Sequence, residues 1–297
     1  MPAIFNYQNN LASQTGLFSD IQTQPPQLLK WVGNKHRFAL KIIDNFPKQY
    51  NKYIEPFVGT GAVLAALNPH KGIAGDMLKP LIEIMTLLQE SPDTLIQSYA
   101  DNWNQYQKDP KGHYSNVLKS FNKSPNALDM LFLSRTCYGG VVRFTKEGKM
   151  STPMGPHKPI SPESFAKRAF LWRERIANTK FFNADYRETM SMAEDGDIIY
   201  CDPPYVDSQA ILYGAQSFKL KELFEEIEKA VNKGAKVVLS IDGHKKSGKK
   251  ILNIDFPDRL FKKEYLINNG SSMLRRFQKS GETMEGEDVK DRLLLTW

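Results

Sequence analysis

Only two cysteines, Cys137 and Cys201, occur among the 297 residues, and the five histidines are scattered without ligand spacing. The pair excludes a disulfide framework and a cysteine zinc site, and no metal is expected. No apolar run is long enough to span a bilayer. The amino terminus, Met1-Pro2-Ala3-Ile4-Phe5, lacks the basic segment and apolar core of a signal peptide, so the chain is expected to stay where it is made, away from membranes. It also lacks the third glycine of a dinucleotide fingerprint and the Gly-Lys-Ser/Thr of a phosphate loop, which disfavours a pyrophosphate cofactor. Internal repeats are absent.

What is there is an ordinary globular balance, 41% hydrophobic and 25% charged, with a formal net charge of +7. An excess of that sign favours nucleic acid or another anionic partner, and by itself speaks only to solubility and encounter rates. Residues 1–24 are polar and without steady periodicity, and read as an arm. From 25 to 91 the pattern is a helix over 36–46, a strand at 53–57, a glycine turn, an apolar helix over 62–67, a strand at 72–76 and a helix over 80–88. Strand, glycine turn, helix, strand, acid is half of a nucleotide-binding sheet.

Between 92 and 178 the character changes to helices at 93–106, 114–121 and 125–134, a hairpin near Val142 and Phe144 turning at Glu147-Gly148, and a basic helix over 161–178. These form a mainly helical insert. The sheet resumes over 179–297 with strands at 179–182, 198–201 and 235–241, then two more at 262–267 and 292–297. Polar residues 206–217 read as a lid or recognition loop, and 243–250 as a basic loop. The whole is an α/β chain.

Three carboxylates follow three of these strands. Asp76 offers acceptor positions for the two hydroxyls of a ribose, Asp185 for the amine of an adenine, and Asp202 for a second, different amine. Each of the first two can equally do no more than cap a turn. Gly59 and Gly61 let the backbone approach a ligand at a helix start, although a plain strand-to-helix connection would use the same residues.

Asp202-Pro203-Pro204-Tyr205 is more specific. An amine on an aromatic ring is a poor nucleophile because its lone pair is delocalised. The Asp202 carboxylate and the Pro203 carbonyl can hold both amine hydrogens, Pro203 and Pro204 keep these acceptors rigid, and Tyr205 can stack on the ring. Pro-Pro-Tyr as an adaptor ligand is the competing view, but here the motif directly follows an apolar strand.

With these residues the chain resembles the amino-group DNA methyltransferases, in particular the bacterial N6-adenine enzymes. Lys30, Trp31, Gly33 and Lys35 are similar to that family's amino-terminal Lys-Trp-Ala-Gly-Gly-Lys, with Asn34 in place of a glycine. Glu55-Pro56-Phe57-Val58-Gly59-Thr60-Gly61 resembles its cofactor motif, Asp76 its second-strand acid, followed by Met77-Leu78 where Ile-Asn is common, and Asp185-Tyr186 its Asp-Phe position.

The resemblance implies a seven-stranded, mostly parallel sheet with an inserted DNA-recognition domain, S-adenosylmethionine as cofactor, and double-stranded DNA as partner. It makes Asp202, Pro203, Pro204 and Tyr205 catalytic residues, and Lys30, Trp31, Gly33, Lys35, Phe57, Gly59, Gly61, Asp76, Asp185 and Asp202 cofactor ligands. Arg135, Tyr138, Arg143, Lys146 and Lys149 are the expected DNA contacts. The implied activity is site-specific methylation of adenine N6 on a flipped base in a bacterial cytoplasm, on nucleoid DNA, by a monomer, alone or paired with a cognate restriction endonuclease. N4 methylation of cytosine and a non-catalytic DNA-binding protein on the same fold remain the alternatives, and the insert does not disclose a recognition sequence.

Overall fold

The computed structural model describes residues 24–31, 33–204, 218–245, 256–257, 259–271 and 288–297. Tyr205, residues 1–23 of the arm, and the loops at 206–217 and 246–250 lie outside the described residues. β1 (Tyr53–Glu55), β2 (Gly72–Gly75), β3 (Thr179–Phe182), β4 (Ile198–Cys201) and β5 (Lys236–Lys245) are parallel neighbours, and β7 (Asp288–Leu295) runs antiparallel between β5 and β6 (Lys263–Ser271). The order is β3-β2-β1-β4-β5-β7-β6, the expected seven-stranded, mostly parallel sheet. β5 continues past Ile241 to Lys245 because β7 supplies ladder partners there, so 243–245 extend a strand rather than begin a basic loop.

Successive strand residues point to opposite faces, and both faces are apolar. Tyr53, Ile198, Tyr200, Val238, Leu293 and Leu295 face one core with α1 (Ala39–Ile43), α2 (Ala62–Leu67) and α3 (Lys79–Glu90). Ile54, Ile199, Cys201, Val237, Leu239 and Leu294 face the other, covered by α8 (Tyr186–Ser191) and α9 (Leu220–Asn232). Cys201 is fully buried, and burial pushes its thiol pKa up, away from reactivity.

Side-chain caps start three of the insert helices. α5 (Pro110–Lys123) has Pro110 as its first residue behind Asp109, which accepts from Gly112 N at 2.9 Å. Asn126 caps α6 (Ala127–Thr136) through Asp129 N at 2.9 Å, and Ser161 caps α7 (Pro162–Ile176) through Ser164 N at 3.2 Å. With α4 (Pro92–Lys108) these helices bury Leu95, Tyr99, Phe121, Phe132, Phe165 and Trp172 in the same core as the first face of the sheet.

Between α6 and α7 the predicted hairpin is present as a Phe144–Met150 bridge, with Thr145 N donating to Lys149 O at 2.8 Å. Asn122 of α5 acts as a substitute strand for it. Its amide donates to Met150 O at 2.9 Å while its carbonyl accepts from Met150 N at 2.7 Å.

The segment ahead of α1 is held by the insert. Trp172 Nε1 donates to Pro26 O and Arg168 to Gln27 O, each at 2.7 Å, and Arg135 donates to Leu28 O at 2.7 Å. Arg135 is therefore not the phosphate contact expected from the sequence. Only 3% of it is exposed, its charge is spent on main-chain carbonyls, and burial lowers its pKa. Arg135→Met should destabilise the fold by about 1–3 kcal/mol by leaving those carbonyls unsatisfied. Urea unfolding would check this; stability equal to the parent's would show that the bonds are replaceable by water.

Candidate active site

In this strand order β1 and β4 lie side by side while their following connections diverge, so a crevice opens at their carboxyl ends. A cavity of about 360 Å³ occupies that position, a size ordinary for a small-molecule site. Stretches distant in sequence meet there: Trp31 and Gly33 to Lys35 ahead of α1, the turn after β1, the acid after β2, the acid after β3, and the loop after β4.

Gly59 and Gly61 both adopt positive φ, +48° and +67°. A Cβ at Gly59 would meet nothing within 4 Å, so the backbone there is bare toward the cavity, whereas Gly61 faces Met85 and Trp172 and does not line it. Asp76 fixes the turn from the next strand. Its two carboxylate oxygens accept from Gly59 N at 3.0 Å and Leu78 N at 2.8 Å. Burial raises the Asp76 pKa, while these two N–H donors oppose the rise. Asn183, which carries no motif in the sequence, holds the carbonyls of Asp76 and Met77 at 3.0 Å each.

Asp185 also serves two ends. It caps α8 by accepting from Arg187 N at 2.9 Å and pairs with the Arg187 guanidinium at 3.1 Å, while standing on the cavity wall. Beside it Phe57 stacks on Tyr186 with ring centroids 5.1 Å apart, giving the wall a flat apolar surface. The capping and ligand-facing roles weighed for these acids are thus not exclusive, because a carboxylate has more acceptor positions than its cap consumes.

Asp202, Pro203 and Pro204 line the same cavity, and so do Trp31, Gly33 and Lys35. Lys35 Nζ lies 2.8 Å from Asp202 Oδ1 and 3.4 Å from Asp291 Oδ2. Asn34, the departure from the family pattern, closes this strip: its amide donates to Trp31 O and its carbonyl accepts from His36 N at 3.1 Å. The side chain supplies bonds that a glycine could not. Lys30 is half-buried and lies off the cavity, with its pKa lowered by burial and by the nearby Arg135. On the insert, Arg143, Lys146 and Lys149 are exposed along the hairpin, and Tyr138 is half-buried at its root.

Residues 31–273 match the model of the D12 class N6 adenine-specific DNA methyltransferases. The chain belongs to that family. It is 31% identical over 182 residues to a DNA adenine methylase of Vibrio cholerae, covering 60% of this chain and 64% of that protein. A DNA adenine methylase of Serratia marcescens is 30% identical over 65% of this chain and 73% of its own length. That of Escherichia coli K12 is 29% identical over 71% and 79%. The match therefore spans less than two thirds of the Vibrio protein.

Glu55, quoted above only as the head of the cofactor motif and given no role there, is a buried acid on the cavity. It ends β1 with 3% exposure, accepts from Tyr53 Oη at 2.7 Å and lines the cavity. Burial, reinforced by the Asp202 charge, pushes its carboxyl up to about 8. The folded chain then holds a proton that the unfolded chain releases near 4.5, the ordinary glutamate value. Stability carried by this proton is present below that value and is lost as the pH rises toward 8, at about 1.4 kcal/mol per pH unit. Relative to the parent, Glu55→Gln should gain stability with that slope between pH 5 and 8 in ligand-free urea unfolding. A pH-independent difference would mean that Glu55 is ionised throughout.

Proposed function

We propose that this chain transfers a methyl group from S-adenosylmethionine to the N6 amine of an adenine in double-stranded DNA. The observation that carries the proposal is the meeting, on one cavity, of the bare Gly59 turn, Asp76 and Asp185 with the rigid acceptors of Asp202-Pro203. Family membership and the names of the relatives support adenine as the base.

The donor set suits this cofactor. Gly59 leaves room for close approach, Asp76 suits vicinal hydroxyls, Asp185 suits an adenine amine, and the Phe57–Tyr186 pair suits a flat ring. When bound, S-adenosylmethionine supplies a methyl group already activated by its positive sulfur. The chain's own work is positioning. An adenine inside a duplex cannot reach a crevice at the end of a sheet, so the base is taken out of the stack.

Asp202 and the Pro203 carbonyl then accept the two hydrogens of its amine, which favours a geometry in which the nitrogen lone pair is withdrawn from the ring and becomes nucleophilic. The proton that leaves this nitrogen passes to solvent by way of Asp202. Tyr205, next in sequence, is assigned to stacking on the extrahelical base by its place in the motif. Residues 92–178 form the DNA-recognition insert, with Arg143, Lys146 and Lys149 on phosphates and Tyr138 at the root of the same hairpin.

Asp202→Ala should reduce labelled-methyl transfer to DNA by at least about 10²–10³-fold, the scale for losing a positioned polar group. Direct titration should find cofactor binding weakened far less than transfer. Normal turnover would refute the assignment, and nucleoside analysis of the product separates N6-methyladenine from N4-methylcytosine. Replacing Lys146 and Lys149 together with Ala should lower the salt slope of DNA binding by about 2, one unit for each lost phosphate contact. An unchanged slope would place the hairpin tip off the DNA.

A further inference from the structure

Asp291 belongs to none of the motifs, yet it lies on β7 beside the site. Its exposure is 5%, and its carboxylate is 3.4 Å from the same Lys35 ammonium that stands 2.8 Å from Asp202. Lys35 and Asp202 alone would already be charge-balanced. A second buried carboxylate adds a desolvation cost that the pair does not require, so its presence calls for a reason.

We infer that Asp291 is a positioning residue for methyl transfer, sharing the Lys35 ammonium so that Asp202 is anchored without being neutralised. The inference rests on the proposed role of Asp202 as amine acceptor. Among these described groups two carboxylates share one ammonium, an excess of one negative charge beside the amine. As the nitrogen lone pair forms its new bond, the nitrogen gains positive charge, and a net negative neighbourhood stabilises that change where a neutral ion pair would not. Glu55 faces Asp202 from β1, where burial raises its carboxyl to about 8 and so disfavours a charge. Asp291 on β7 is the second carboxylate that the Lys35 ammonium reaches among the described residues.

The test is single-turnover transfer of labelled methyl to unmethylated genomic DNA by the full chain, with cofactor affinity titrated separately. Asp291→Asn keeps the shape and removes the charge. It should slow transfer about tenfold while the cofactor Kd stays within about twofold, and Asp291→Glu should recover at least about a third of the lost rate. The inference is overturned if Asp291→Asn transfers at the parental rate, if rate and cofactor affinity fall together, or if the glutamate recovers nothing. Asp202→Ala runs alongside. If it still turns over, the acceptor role itself is wrong; if it is inactive while Asp291→Asn is normal, only the role of Asp291 fails.

Discussion

Two parallel strands, β1 and β4, are neighbours at the centre of the sheet although the whole of the insert, β2 and β3 separate them in sequence. Each is only three or four residues long and buried along its length. Their pairing, Tyr53 with Ile198 and Ile54 with Ile199, brings Glu55 and Asp202 to the same edge of the sheet. Everything at the cavity depends on that register. A slip by one residue would turn Asp202 into one of the two cores, where its charge has no partner.

Buried charge is the second constraint. Lys35, Asp202 and Asp291 form one cluster, with Glu55, whose carboxyl burial raises to about 8, nearby. Such groups contribute little net stability because their desolvation offsets their attraction. Their value is directional: a carboxylate held by a fixed ammonium presents the same lone pairs every time a substrate arrives. That suits a reaction in which the chain supplies geometry and field rather than a covalent bond.

The insert shares the sheet's core, and this ties it to the glycine-turn side of the cavity. Trp172 lies under the glycine turn while its indole nitrogen holds Pro26, and Arg135 and Arg168 hold the next two carbonyls. A Cβ on Gly140, at the root of the hairpin, would come within 2.8 Å of Lys30 Cβ. The hairpin and the Lys30–Trp31 strip are therefore packed as one unit, so displacement of either is felt by the other.

The seven-stranded, mostly parallel sheet followed from the family resemblance. The sequence by itself determined the order of the elements, because its apolar strands end in local signals: Gly59-Thr60-Gly61 turns and Pro203-Pro204 stops β4. It placed Asp76 and Asp185 at strand ends correctly while leaving open whether they cap or bind. Charge type did not reveal whether Arg135 was exposed, since an arginine reads the same in sequence whether its guanidinium meets phosphate or main-chain carbonyls. Nor did any local pattern mark Asn122, Asn183, Asp291 or the perturbed carboxyl of Glu55. Those were decided by tertiary structure, because burial and partnership are properties of which distant segments come to lie against one another, and strand register across the sheet sets that.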